Sequence, residues 1–343
     1  MKKIFGILCG FIGALLLCEI VLRILPVCSP LLTSSQANEY EAKPTIANQK
    51  VRYSRGWMFQ MGNNININSA GFHSAEEYVR CPNKNGVAFI GDSLIECIMV
   101  EPEFLFHATL KNILKQHNVD CGVFSFGRSG NGLADKMKLM KLAKDKFGVS
   151  KFILNFDYVD IVDDKKMSDG HFFYVVNKDE SIEIKCRTKK AGLEKLKNIA
   201  FVRYVFSNLA ITPSSFVLKL KKSINPDGAD SNAKFQTNAD LSKIDTMLFN
   251  AFIKDVLSIV DNDKSSILFM MRDDITNDKL KEKLTNMGFE VLDVTACMKT
   301  SKNYELSCFY NDSHWSARGI KRICNAIEKT KFFTKIVSDE NAK

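Results

Sequence analysis

Short apolar runs alternate along the chain with longer segments in which apolar residues recur at helical spacing. The short runs, predicted as buried strands, are residues 87–90, 119–126, 151–156, 266–271 and 289–294. The longer segments, predicted as helices, are residues 104–117, 136–147, 192–209, 241–260, 278–287 and 317–329. A continuous apolar run is typical of a strand covered on both faces. The alternation therefore predicts an α/β fold, a three-layer αβα sandwich around a mostly parallel sheet, with binding residues at the carboxyl ends of the strands.

The first segment of the chain, residues 4–25, is apolar except for Glu19 and Arg23. A helix rises about 1.5 Å per residue, so one of this length crosses a hydrocarbon core about 30 Å thick. Glu19 and Arg23 lie four residues apart, and they can pair on one face near the far end of the helix. The segment is therefore predicted to be an N-terminal transmembrane helix.

The charges around this helix predict its orientation. Lys2 and Lys3 precede it, whereas residues 24–41 contain neither Lys nor Arg. By the positive-inside rule, the body of the protein is expected outside the cytoplasm. A cleaved signal peptide is the alternative, with residues 35–37 as a small-x-small site, although that site lies about a dozen residues beyond the apolar segment.

Composition divides the chain into four stretches. Residues 1–25 are the predicted membrane anchor, and residues 26–53 are polar without a clear period, which is typical of a linker. Residues 54–335 are predicted to form the α/β domain, with an insertion at about residues 165–240. Within that insertion, residues 222–240 are rich in Asn, Asp, Ser and Gly and are predicted to be a mobile loop. Residues 336–343 are predicted to be a polar tail.

The net charge of +9 comes largely from residues 185–222. That stretch has few aromatic residues and no recognisable nucleic-acid-binding module, so we interpret it as a solvated face and expect no nucleic-acid partner. The ten cysteines form no CxxC pair, and buried thiols are the default, with one or two disulfides as the alternative. The five histidines are scattered in the sequence. We therefore expect no metal and no cofactor.

Three polar segments follow predicted strands or precede the last helix. Gly91-Asp92-Ser93-Leu94 comes directly after the first strand, where a serine hydroxyl on a tight turn could act as a nucleophile. Asp312 and His314 stand two residues apart before the last helix. An imidazole can take the hydroxyl proton when a carboxylate fixes its tautomer and stabilises the resulting cation. Each segment alone is also common in ordinary turns.

A glycine-rich segment, residues 125–132, follows the second strand. Glycines allow the backbone to approach a substrate closely. The amides of Gly130 and Ser93 could receive the negative charge that develops on an ester oxygen. An ordinary glycine-rich turn is the alternative.

Together these segments resemble the conserved blocks of the SGNH/GDSL hydrolase superfamily. The matching blocks are Gly-Asp-Ser-Leu at 91–94, Phe-Gly-x-Ser-Gly at 126–130, and Asp-x-His-Trp at 312–315 followed by Gly319. Residues 68–72, Asn-Ser-Ala-Gly-Phe, also resemble an element that precedes the Gly-Asp-Ser block in membrane-anchored bacterial members. The likeness spans about residues 1–160 and 240–330.

The resemblance implies a flavodoxin-like sheet and a role for each matched residue. Ser93 would be the nucleophile, His314 the general base, Asp312 its orienting acid and Gly130 an oxyanion donor beside the amide of Ser93. It also implies an enzyme in the bacterial inner membrane, with one transmembrane helix and an extracytoplasmic catalytic domain. The expected substrate is an O-acyl ester, most commonly O-acetyl, on a cell-envelope or secreted glycan.

The third block of the family departs from the pattern. It normally supplies an Asn, often followed by Asp, after the third strand. If Asp160 is that Asp, Val159 stands at the Asn position and a side-chain oxyanion donor is missing. Loss of one such donor costs about 3 kcal/mol, or two orders of magnitude in rate. Asn155 is a further candidate for this donor.

Three functions remain open from the sequence. A serine ester hydrolase is the leading hypothesis. A glycan O-acetyltransferase would use the same acyl-serine chemistry but would need an acyl-donor partner protein. A non-catalytic glycan-binding or assembly protein would have kept the fold after losing the Asn.

Overall fold

The computed structural model describes residues 2–82, 85–188, 196, 198–211, 241–272, 275–299, 308–309 and 312–341. These residues form two compact units. The first unit takes its described residues from the ranges 1–32, 50–65 and 191–235, and the second from 33–49, 66–190 and 236–343.

Helices and strands alternate through most of the described chain. The helices are α1 Lys2–Ile24, α2 Ser93–Glu96, α3 Phe106–Gln116, α4 Leu133–Phe147, α5 Tyr158–Lys166, α6 Ala200–Arg203, α7 Lys243–Ile259, α8 Ile275–Asn286, α9 Val294–Lys299, α10 Ala317–Ile327 and α11 Lys331–Asn341. The strands are β1 Gln49–Arg55, β2 Met61–Ile67, β3 Gly86–Gly91, β4 Val123–Gly127, β5 Val149–Asn155, β6 His171–Val176, β7 Ile182–Arg187, β8 Ile267–Met271, β9 Glu290–Asp293, β10 Cys308–Phe309 and β11 Asp312–Trp315.

Five strands of the second unit form one sheet in the order β4-β3-β5-β8-β9. Every neighbouring pair is parallel. In chain order this is 2-1-3-4-5, the flavodoxin-like arrangement. The predicted parallel α/β sheet is therefore confirmed, and all five strands direct their carboxyl ends to one edge.

Alternate residues of each strand pack into separate cores on the two faces of the sheet. Ala88 and Ile90 lie in a core with α4, α7 and α8, whereas Val87 and Phe89 lie in a core with α3, α9, α10 and α11. Burial on both faces explains why the inner strands β3, β5 and β8 contain continuous apolar runs in the sequence. It also gives the three layers that the alternation predicts.

Several elements of the structure were not predicted from the sequence. Strand β1 begins at Gln49, inside the predicted linker, and its burial alternates because one face is exposed. The hairpin of β6 and β7 lies in the predicted insertion. Helix α11 extends to Asn341, so most of the predicted polar tail is helical. It buries Phe332, Phe333 and Ile336 in the core.

Two further predictions fall on segments that lie partly or wholly outside the described residues. Within the described part of the predicted helix 192–209, Ala200–Arg203 is α-helical and Tyr204–Asn208 forms a π-helical turn. The predicted loop 222–240 lies outside the described residues. All ten cysteines lie among the described residues, and none of them is paired in a disulfide.

Helix α1 has the length and composition to cross a membrane or to act as a signal sequence. It spans 23 residues and contains an 18-residue window with a mean hydropathy of 2.5, and none of it is buried within the described structure. This agrees with an N-terminal membrane-targeting segment.

A buried histidine makes the second unit sensitive to acid. His107 of α3 is 2% exposed, and its Nε2 lies 3.0 Å from Ser74 Oγ. Its Nδ1 has no hydrogen-bond partner among the described residues. Burial, with smaller electrostatic contributions from His73 and Lys111, lowers the pKa of His107 to about 3. The ring is therefore neutral in the folded protein at neutral pH.

We predict that His107→Phe flattens the pH dependence of stability. A histidine in the unfolded chain has a pKa of about 6.5, so His107 is protonated in the unfolded state below that pH. In the folded state His107 stays neutral down to about pH 3, so between these values the unfolded state binds one proton more. The free energy of unfolding should therefore fall as the pH drops from about 6.5 towards 3. The variant should lose up to about 1.4 kcal/mol per pH unit of that slope. Urea denaturation from pH 7 to pH 4 measures the slope, and an unchanged slope would contradict this assignment.

Candidate active site

Ser93 stands where strand β3 passes into helix α2. Asp92 precedes it, and Asp92 Oδ1 accepts the Leu94 N–H at 2.8 Å as a helix cap. Ser93 is the first helical residue, so its N–H belongs to the group of amides that have no partner within a helix. Its side chain is half-buried. The hydroxyl is therefore held at the carboxyl edge of the sheet and is accessible to a ligand.

His314 comes from the other end of the chain to the same edge. Its Nε2 lies 2.8 Å from Ser93 Oγ, across a separation of 221 residues in sequence. The next residue, Trp315, is buried and packs edge-on against Phe106 with 5.5 Å between the ring centroids. Ser316 Oγ then accepts the Gly319 N–H at 3.2 Å and caps α10. The backbone that carries His314 is thus anchored on its C-terminal side.

The predicted acid of the triad is described only in part. Asp312 is the first residue of β11, two residues before His314. Strand β11 pairs antiparallel with β10, whereas the sequence suggested a turn at this place. The carboxylate of Asp312 lies outside the described part of the chain, so its role as the orienting acid stays a prediction.

The glycine-rich turn after β4 is hydrogen-bonded to the segment that carries Ser93. Gly91 O accepts the Arg128 N–H and the Asn131 Nδ2–H, both at 3.3 Å. Glu96 Oε2 accepts the Ser129 N–H at 2.9 Å and the Ser129 hydroxyl at 2.5 Å. Both the strand end before Ser93 and the helix after it therefore hold the turn in place.

Two glycines of this region have positions that a side chain would not allow. A Cβ on Gly127 would lie 2.3 Å from the backbone nitrogen of Glu96, so only glycine lets β4 and α2 approach this closely. Gly130 has a φ of +82°, in the left-handed region that favours glycine. Its N–H donates to no group among the described residues. That amide is consequently available to a ligand.

Asn155, the further candidate for an oxyanion donor, directs its side chain towards Asp92 and Phe156. It ends β5 beside Gly91 and is fully buried. With the amide oriented to suit its neighbours, its nitrogen lies 3.2 Å from Asp92 Oδ1 and its oxygen 3.2 Å from the Phe156 N–H. The side chain thus supports Asp92, and through it the cap of α2. Val159 follows in the first turn of α5 and carries no polar side-chain atom.

Behind the site lies an ion pair that is almost free of solvent. Lys136 Nζ lies 2.5 Å from Asp160 Oδ2, and both side chains are 1% exposed. Lys136 Nζ also donates to Asn155 O at 2.7 Å. Burial raises the pKa of Asp160 to about 7, even though the Lys136 ammonium opposes this change. The pair therefore fixes the end of β5 against α4 and α5.

A second charged group joins β8 to the same region. Asp157 Oδ2 accepts hydrogen bonds from Arg272 Nε and Nη2, both at 2.8 Å. Asp157 Oδ1 accepts from Asn277 Nδ2 at 2.7 Å. Burial raises the pKa of Asp157, and the Arg272 guanidinium opposes that shift. These contacts brace the third and fourth strands of the sheet at their carboxyl ends.

A second histidine–aspartate pair borders the glycine-rich turn. His171 Nδ1 lies 2.7 Å from Asp135 Oδ2, and Asp135 Oδ1 accepts the Phe172 N–H at 2.9 Å. A methyl group added to Gly130 would come within 3.4 Å of His171 Cε1, so the ring lies against that glycine. This pair was not predicted from the sequence, because His171 and Asp135 belong to separate elements 36 residues apart.

The other supporting residues were also missed. Lys136 could have been found from the sequence, because it interrupts the apolar face of α4 between Leu133 and Met140. Glu96 and Arg272 could not have been found in this way, because their hydrogen-bond partners are distant in sequence. Among the described residues, no group of three or more His, Cys, Asp or Glu could hold a metal ion.

The positions of the sequence blocks around the sheet identify the fold type. The Gly-Asp-Ser turn follows the first strand of the sheet, the glycine-rich turn follows the second, and the Asp-x-His strand precedes a helix after the last. This arrangement fits the SGNH/GDSL hydrolase fold that the sequence blocks resemble. Ser93 and His314 meet at the carboxyl edge of the sheet, and the glycine-rich turn is hydrogen-bonded to Gly91 and Glu96 on either side of Ser93.

Comparison with known proteins finds only distant similarity. No family model and no curated protein sequence matches the chain. A lipase/acylhydrolase from Enterococcus faecalis is similar in structure, with 10% identity, a TM-score of 0.37, and coverage of 74% of this chain and 96% of that one. A GDSL-like lipase from Bacteroides thetaiotaomicron has 7% identity, a TM-score of 0.33, and coverage of 76% and 90%.

An acetyl xylan esterase from Butyrivibrio proteoclasticus is similar at 10% identity and a TM-score of 0.31. That similarity covers 78% of this chain and 64% of the esterase. Likenesses at this level assign no activity, so the function must be argued from the residues of the site.

We predict that Lys136→Met is strongly destabilising. It would leave the buried Asp160 carboxylate without its partner, which typically costs about 3–5 kcal/mol. Lys141→Met is the matched control on the same helix, because Lys141 is 43% exposed and pairs with a solvated Glu39. The control should change the free energy of unfolding by less than about 1 kcal/mol. Chemical denaturation measures both, and equal stabilities for the two variants would contradict the proposed role of the buried pair.

Proposed function

We propose that this chain is an SGNH-type serine ester hydrolase that works through an acyl-serine intermediate on Ser93. The contact of 2.8 Å between Ser93 Oγ and His314 Nε2 carries this proposal. A hydroxyl is a weak nucleophile at its ordinary pKa, and a base within hydrogen-bond distance activates it. Both side chains are only half-buried, so an ester can reach them.

The reaction would run in two steps. Ser93 Oγ attacks the ester carbonyl while His314 takes the hydroxyl proton, and the protonated imidazole then gives that proton to the departing alcohol. In the second step, His314 deprotonates a water molecule that attacks the acyl-serine carbonyl. The bond between the acyl carbon and Ser93 Oγ then breaks, the acyl group leaves as the carboxylic acid, and the imidazolium returns its proton to Ser93 Oγ. Asp312 would orient the ring and stabilise the imidazolium, as the family resemblance implies.

The oxyanion would be bound mainly by backbone amides. The Gly130 N–H is available, and the Ser93 N–H lies at a helix N-terminus, where amides lack intrahelical partners. Asn155 is occupied with Asp92, and Val159 cannot donate. We therefore expect an enzyme with one oxyanion donor fewer than the family pattern provides, and a correspondingly modest rate.

For the substrate, we propose an O-acyl ester, most simply O-acetyl, on a cell-envelope or secreted glycan. Support comes from the resemblance to membrane-anchored bacterial members of the family and from the apolar helix α1. We place the protein in the bacterial inner membrane with its catalytic domain outside the cytoplasm. If a sugar hydroxyl replaced water in the second step, the same site would act as a transferase and would need an acyl-donor partner protein.

We predict that Ser93→Ala and His314→Ala each lower the hydrolysis of a small aryl acetate by at least about 10³-fold. Residues of such a pair act as a unit, so either loss removes most of the catalysis. Ser258→Ala, an exposed position on α7, should keep the wild-type rate. Spectrophotometric release of the phenol measures the rates.

A Ser93→Ala rate equal to that of the wild type would end the hydrolase proposal. If all three variants bound a candidate glycan equally while neither they nor the wild type hydrolysed any ester, the non-catalytic alternative would be favoured.

We predict that Asn155→Ala and Asp92→Ala are non-additive. If Asn155 acts by holding Asp92, each substitution disturbs the same helix cap, and the double variant should be no slower than the slower single variant. An oxyanion donor would instead add its own loss of about 10²–10³-fold in kcat to that of Asp92→Ala. The kcat values of the wild type, the two single variants and the double variant measure the coupling. Additive losses would instead indicate that Asn155 is an oxyanion donor.

A further inference from the structure

The far end of α1 is built into the first unit. Glu19 Oε1 and Oε2 accept the N–H groups of Ala200 and Phe201 at 3.0 and 2.9 Å. These are the first amides of α6, which a carboxylate satisfies well. Arg23 Nε pairs with the same carboxylate at 2.8 Å, and Arg23 Nη2 lies 3.4 Å from Asn198 O. The start of α6 therefore lies against the last turns of α1.

The chain that follows α1 continues this attachment. Cys28 O accepts from Arg203 Nε at 2.9 Å, and the Cys28 N–H donates to Asn208 Oδ1 at 3.0 Å. Asn208 is 1% exposed, and its Nδ2 donates to Ser54 Oγ at 2.8 Å. The Gly56 N–H donates to Asn208 O at 2.8 Å. The buried Asn208, which lies shortly after α6, is therefore hydrogen-bonded both to the chain that follows α1 and to the hairpin of β1 and β2.

Large apolar side chains remain exposed around this junction. Trp57 at the hairpin tip is 66% exposed and Met58 63%. Tyr204 is tied to this tip, since its hydroxyl donates to Trp57 O at 2.7 Å. Ile199, Phe201 and Phe206 are 38–48% exposed. Soluble surfaces rarely gather so many large apolar groups unless something covers them.

We propose that Trp57, Met58, Ile199, Phe201 and Phe206 form a lipid-contacting face that rests in the headgroup region of the membrane that α1 spans. A lipid partner is favoured because these residues lie in the same unit as the end of α1, which would span the membrane. Glu19 lies five residues before the end of α1 at Ile24, or about 8 Å along a helix axis. That depth corresponds to the interfacial layer, where amphipathic elements bury their apolar side chains by about 5–10 Å.

The composition of the face also suits this layer. Tryptophan is enriched at the boundary between hydrocarbon and water. Arg23 and Arg203 lie at the junction, and arginine side chains can reach lipid phosphates. The contacts also imply that α1 is retained. Cleavage after residue 37 would remove Glu19 and Cys28, and would leave the first amides of α6 and the buried Asn208 without these partners.

The tryptophan content of the chain allows a direct test. The chain has two tryptophans, and Trp315 is 2% exposed in a core of the second unit. The full chain and its Trp57→Phe variant would be reconstituted in phosphatidylcholine vesicles. The lipids would be brominated either near the carbonyl end or near the methyl end of their acyl chains. In each lipid, the emission spectrum of the Trp57→Phe variant is subtracted from that of the wild type, and the difference is the emission of Trp57. The emission of the variant comes from Trp315 and serves as an internal control.

The expected result is a loss of Trp57 emission that is larger with bromine near the carbonyl end, together with unquenched Trp315 emission in the variant. Replacing both Phe201 and Phe206 with Asp should weaken the loss. Two outcomes would overturn the proposal. Trp57 could stay unquenched by both lipids and open to aqueous iodide, which indicates solvent. It could instead be shielded from iodide yet unquenched by bromine, which indicates a protein cover.

Discussion

The hydrogen bond between Ser93 and His314 depends on a constraint of the whole fold, namely that parallel strands direct their carboxyl ends to one edge. Ser93 follows β3, and His314 lies in β11, beyond the last strand of the sheet. Neither residue has a local reason to meet the other, since 221 positions separate them. Two buried faces fix the sheet, and the sheet fixes the edge at which the hydroxyl and the imidazole meet.

Charged groups behind that edge hold it in one arrangement. Removing Lys136 and Asp160 from water is costly, and the cost is offset only when the pair keeps good geometry and further hydrogen bonds. Here Lys136 also binds Asn155 O, and Asp160 also accepts the Asp157 N–H at 2.9 Å. A buried network of this kind tolerates little displacement of β5. It thereby supports Asn155, Asp92 and the helix that begins at Ser93.

The features that the sequence predicts well are those encoded locally. The inner strands β3, β5 and β8 contain continuous apolar runs. The Gly-Asp-Ser turn, the glycine-rich turn and Asp312-x-His314 are short segments with recognisable chemistry. The hairpin of β6 and β7 was missed although β6 is an apolar run, because its partner β7 is mostly exposed and partly charged. His171 with Asp135, and Arg272 with Asp157, were missed because such pairs arise only when separate elements pack. For Asn155, its place at a strand end was visible in the sequence, but its hydrogen bond to Asp92 was not.

The central claim is that the hydroxyl of Ser93 is activated by His314. The most direct measurement is covalent labelling of the full chain with a fluorophosphonate, followed by mass-spectrometric mapping of the modified peptide. Such a reagent modifies a serine that a neighbouring base has activated, whatever the natural substrate is. The account predicts one label, on Ser93, which is lost in His314→Ala. The absence of a label on the wild type, or a label on a different serine, would contradict it.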